Sequence, residues 1–67
     1  MEILRYEVLV VNKETEEILK EFASDSLDKI ETIFDMEKDL INIYENTIGI
    51  QLLDNKTFEV IADYNMD

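Results

Sequence analysis

From Glu2 to Val11 apolar and polar side chains alternate, with Leu4, Tyr6, Val8 and Val10 on one face and Ile3, Arg5, Glu7, Leu9 and Val11 on the other. A period of two in a run rich in β-branched and aromatic residues predicts a strand. The second face mixes apolar with charged residues, as expected if a neighbour covers part of it. The short polar segment Asn12-Lys13-Glu14-Thr15 then turns the chain into a second strand over about 16–23, carrying Ile18, Leu19 and Phe22.

After Ser24-Asp25-Ser26 the period changes. These side chains suit a helix N-cap, and Asp28 and Glu31 suit the positive end of a helix dipole. At 100° per residue, Leu27, Ile30, Ile33, Phe34, Met36, Leu40, Ile41, Ile43 and Tyr44 fall within roughly 200° of arc. The spacing predicts one amphipathic helix over about 26–46. A competing reading ends it near Glu37 and makes 40–45 a strand, because Leu-Ile-Asn-Ile-Tyr is also β-prone. Gly49, the only glycine, stands where a left-handed residue ends many helices, or where the chain bends. Ile50–Leu53, the turn Asp54-Asn55-Lys56 and the alternating run Thr57–Tyr64 predict a second hairpin, and Asn65, Met66 and Asp67 should fray.

These elements make one α+β domain over residues 1–67. Two antiparallel hairpins flank a long helix, ββαββ, in a single sheet with the helix on one face. The expected core is Leu4, Tyr6, Val8, Val10, Ile30, Phe34, Ile41, Ile50, Leu52, Phe58 and Val60. No internal repeat stands out beyond a loose hairpin-helix-hairpin symmetry.

Charge narrows the functional classes. Seventeen Asp and Glu against six Lys and Arg give a net charge of −11. That sign disfavours direct nucleic-acid binding, which draws on Lys and Arg, and disfavours anionic membranes. It favours protein partners with basic surfaces. No apolar run approaches a membrane span, and residues 1–5 do not read as a secretory leader, so a cytoplasmic protein is expected. Without Cys or His there is no thiolate or imidazole for metal binding or catalysis. With one glycine there is no Gly-rich phosphate loop, so neither cofactor nor metal is expected.

Carboxylate catalysis is the enzyme class composition leaves open, but 67 residues leave little room for the cleft it needs. A non-enzymatic protein is expected, and Ser24 and Ser26 are read as caps rather than nucleophiles. Asp35-Met-Glu37-Lys-Asp39 resembles the start of a calcium loop but fails it: Leu40 stands where Gly is needed, and Asn46 where a bidentate Glu is needed.

The polar side of the helix carries a more specific pattern. Asp28, Glu31, Asp35 and Asp39 lie within roughly 80° of arc and span about 16 Å of axis. Such a row can imitate the phosphates of a nucleic-acid strand and occupy the basic groove of a protein that handles one. Asn42 and Asn46 continue it without charge, and the bland alternative is a solvated face. The four acids are the expected partner-binding residues of a small inhibitor or modulator, of the kind viruses direct at host nucleic-acid-handling or defence proteins. Apolar residues on both faces of the first strand, and the wide helix arc, carry the second expectation: an oligomer interface, with a homodimer or an assembly subunit as its simplest form.

Overall fold

A computed structural model describes residues 4–44 and 47–66. The elements are β1 (Tyr6–Asn12), β2 (Glu17–Ser24), α1 (Leu27–Tyr44), β3 (Ile48–Asp54) and β4 (Glu59–Tyr64). The ββαββ order holds. Ser26 caps α1, its hydroxyl accepting from the Lys29 N–H at 3.4 Å. The helix continues to Tyr44, which rules out a strand beginning at Leu40. Glu2, Ile3, Glu45, Asn46 and Asp67, included in the expected elements or the frayed end, lie outside the described residues.

The four strands form one antiparallel sheet in the order β2-β1-β3-β4, and α1 packs across one face against β1, β2 and β3. Tyr6, Val8, Val10, Ile50 and Leu52 face it from the central strands, and Ile30, Phe34 and Ile41 meet them from the helix. At the β4 edge the Lys38 ammonium lies 5.6 Å from the centre of the Tyr64 ring.

The two hairpins are copies in register, which the sequence does not announce. Val8 pairs with Phe22, Val10 with Lys20, Val11 with Ile18 and Asn12 with Glu17. Forty-two positions on, Ile50 pairs with Tyr64, Leu52 with Ala62, Leu53 with Val60 and Asp54 with Glu59, the bulge falling at the same step. Both turns place a residue at φ 61°, Glu16 and Phe58. The ties between hairpins also match: the Lys13 N–H donates to the Thr47 carbonyl at 2.8 Å, and the Asn55 N–H to the Arg5 carbonyl at 2.7 Å. Leu9 opposite Gln51 marks the pseudo-twofold axis. Registers and turn conformations recur while most side chains differ, so composition and spacing hide the repeat.

Several expectations are corrected. Gly49 does not end the helix; it lies within β3, buried, opposite Val11. It is glycine because of crowding: a Cβ there would collide with Met66 Sδ and stand 3.0 Å from the Asn65 carbonyl oxygen. Asn65, expected to fray, donates through its amide to the Ile48 carbonyl at 2.8 Å. Leu4, Phe58 and Val60 were expected in the core but are 37%, 92% and 49% exposed. Leu4 precedes β1, Phe58 sits in the turn, and the bulge turns Val60 to the face opposite the helix, where it pairs with Leu53.

Candidate functional site

Asp28, Glu31, Asp35 and Asp39 all lie exposed on the side of α1 away from the sheet. The same periodicity that sends Ile30, Phe34 and Ile41 inward sends these four outward. None of them forms an ion pair among the described residues. They are brought together as a row. Glu37, the middle acid of the calcium-loop resemblance, points the other way and is buried at 7% exposure, so the Asp35-Glu37-Asp39 run does not converge on one point.

Glu37 occupies the middle of the buried helix arc, where its Oε1 meets Lys20 Nζ at 3.0 Å. Lys20 reaches it because its pairing with Val10 places it on the helix face of the edge strand β2. The pair borders a hollow of about 140 Å³ lined otherwise by Val10, Leu19, Leu40, Ile41 and Ile48. A carboxylate in such surroundings needs its partner, which makes this pair a structural clamp between edge strand and helix. The sequence reading missed it, although Glu37 interrupting an apolar arc was a usable signal.

A second pair sits at the mouth of the repeat. Arg5 Nε and Nη2 donate to Asp54 Oδ1 and Oδ2 at 3.3 and 3.1 Å, and the Lys56 N–H donates to Oδ1 at 2.9 Å. The hydrogen bond from Arg5 comes first among the causes that hold the Asp54 carboxyl below its ordinary pKa, with the backbone N–H groups of Lys56 and Thr57 adding to it against the opposing effect of burial. Arg5 is raised above its own ordinary value, chiefly by the same hydrogen bond. Beside this pair Arg5, Glu7, Asn55, Lys56 and Phe58 line a hollow of about 480 Å³.

Among the described residues no helix covers the sheet's other face. It presents Leu9 and Val11 from β1, Ile18 from β2, Leu53 from β3 and Val60 from β4, with Ile18 51% exposed. Glu7, Glu21 and Asp63 share that face, and no lysine or arginine stands at an outward strand position.

Neither the protein-family models nor the curated proteins nor the solved structures include a match to this chain. No described helix is long and apolar enough to cross a membrane, and no three acids among the described residues are placed to hold a metal ion.

Proposed function

We propose that this chain is a non-enzymatic, cytoplasmic binding module that inhibits or modulates a protein with a basic surface, engaging it through Asp28, Glu31, Asp35 and Asp39. The observation that carries this reading is the exposed row of four carboxylates, without an ion pair among the described residues, on a capped helix anchored along its opposite side. Side chains on a packed helix keep their spacing, and a helix rise of 1.5 Å sets successive acids about 4.5–6 Å apart in axial height. That is comparable, at the scale of a few Å, to the repeat of phosphates along one nucleic-acid strand, so a cleft built for a phosphate backbone suits the row. Occupying such a cleft blocks it without any catalytic group.

The test is capture of a partner at about 0.1 M and about 0.5 M salt, where screening shortens from roughly 10 Å towards 4 Å. A basic protein held at the lower salt, released at the higher and lost when all four acids are changed to Lys supports the reading. A folded quadruple variant that still binds sinks it.

The second reading, an assembly subunit acting through an apolar interface, is favoured by the open sheet face with its exposed Ile18 and Val60.

A further inference from the structure

A four-stranded sheet with a helix on one side has a second side to cover. Here that side is apolar by pattern, not by one stray residue. The pseudo-twofold repeat sets the cross-strand pair Val11–Ile18 in one hairpin and Leu53–Val60 in the other at equivalent outward positions, with Leu9 between them at the axis. It also sets an acid at the same outward position in each hairpin, Glu21 and Asp63. Glu7 adds a third next to Leu53, but it lies in one hollow with Arg5 and Lys56, whereas Glu21 and Asp63 have no cation at a neighbouring outward strand position. The face is therefore an apolar diagonal with one acid on each edge strand, Glu21 on β2 and Asp63 on β4.

That charge selects the occupant. A second copy laid on this face would bring its own Glu21 and Asp63 against this pair with no outward strand cation between them, and like charges across an interface are costly. A surface with an apolar ridge and cationic flanks matches both parts. The edges are less suited to an added strand, since β2 and β4 each carry a bulge that breaks the ladder. The face itself suits a helix. Three strand spacings of about 4.8 Å make it roughly 14 Å from β2 to β4, against a helix diameter of 10–12 Å with side chains. Phe58 extends the apolar surface at one corner, where its exposed ring shares a hollow with Glu7, Arg5 and Lys56.

We infer that the outer sheet face, along Ile18, Val11, Leu9, Leu53 and Val60, docks an amphipathic helix of a partner protein whose apolar stripe is flanked by lysine or arginine. This is a surface distinct from the acidic row on α1, on the opposite side of the molecule.

The experiment titrates the full chain, labelled for amide NMR, at about 0.3 M salt to damp long-range attraction. Three synthetic 18-residue peptides serve as probes: a Leu/Lys amphipathic helix, a Leu/Glu helix with the same apolar stripe, and a Leu/Lys scramble without a stripe. The expected result is saturable binding of the first alone, with shift changes on β1, β3 and the outward residues of β2 and β4. Ile18→Lys with Val60→Lys, both at half-exposed edge positions, should weaken it about tenfold or more while the fold persists. If that variant unfolds, Leu9→Ser with Leu53→Ser makes the same test. Neutralising the four α1 acids to Asn and Gln should leave the affinity within about threefold, which separates failure here from failure of the acidic-row reading. The inference is overturned by equal binding of the scrambled peptide, by shifts confined to α1, by the absence of any binding, or by sedimentation as a dimer that the Ile18 and Val60 changes dissociate.

Discussion

Phe58 shows how a single backbone angle separates what a turn needs from what occupies it. A β-hairpin turn that requires φ near +60° is best served by Gly or Asn, because the Cβ of other L-residues crowds the backbone there, at a cost of roughly 1–2 kcal/mol. Phe58 takes that angle and leaves its ring 92% exposed, so it gains little packing in return. Phe58→Asn should therefore raise stability by about 1 kcal/mol in chemical denaturation with an unchanged m-value. A loss of stability would mean that the ring contributes packing its exposure does not reveal. Gly49→Ala runs the other way: the added methyl meets Met66 and the Asn65 carbonyl, and overpacking of this kind costs typically 1–3 kcal/mol, readable as a lowered denaturation midpoint.

Asp54 is the residue whose charge state couples to folding most plainly. Its pKa is lower in the folded chain than the ordinary value near 3.9, so the folded state favours the carboxylate. The stabilisation is present above that ordinary value and is lost as pH falls through the lower folded value. Asp54→Asn removes the effect. The wild type should lose stability more steeply than the variant below about pH 4, and parallel melting curves from pH 7 to pH 2.5 would show that the Arg5 pair does not couple to folding.

At the scale of elements, the helix was legible because three signals agreed: the Ser26 cap, the acid at Asp28 and the apolar arc that buries Ile30, Phe34 and Ile41. The first strand was legible from period two, and the hairpins from the polar turn segments at 12–15 and 54–56 together with the apolar runs beside them. The bulges between Val10 and Val11 and between Leu52 and Leu53 were not, because an extra residue reverses the alternation without any change in residue type. That hidden step placed Val60 in the expected core. The exposed position of the acidic row was legible, since surface position on a helix follows from periodicity alone; a binding role does not follow from periodicity.

The Lys20–Glu37 clamp carries a prediction at this same scale, because it joins an edge strand to the helix. The Glu37 side chain is 9% exposed and that of Lys20 is 52% exposed, so the two ends are not equivalent. Lys20→Ala strands a carboxylate among Leu40, Ile41 and Ile48, which should cost about 1–3 kcal/mol. Glu37→Leu removes the buried charge and leaves a lysine that can turn to water, which should be neutral or stabilising to within about 1 kcal/mol. Equal losses from the two changes, measured by urea denaturation, would contradict the asymmetry.

At the scale of the whole molecule, charge acts against folding and, in the proposed function, in favour of a basic partner, and salt separates the two. The chain measures 32 × 22 × 19 Å and carries a net charge of −11. At about 0.01 M ionic strength the Debye length is roughly 30 Å, so nearly every charge senses every other; at about 0.15 M it is roughly 8 Å, and only neighbours interact. Adding salt across that range should therefore stabilise the fold, and each 1 kcal/mol so gained should appear as about 4–8 °C in Tm for a chain of this size. The same addition should weaken a basic partner held by Asp28, Glu31, Asp35 and Asp39, because those charges lie in water on the helix surface. Binding at the apolar sheet face should change much less, since area removed from water is not screened. A Tm that stays flat or falls with salt would mean that the acids are already compensated in the folded chain. The row on α1 would then lose the excess potential on which its attraction for a cationic cleft depends.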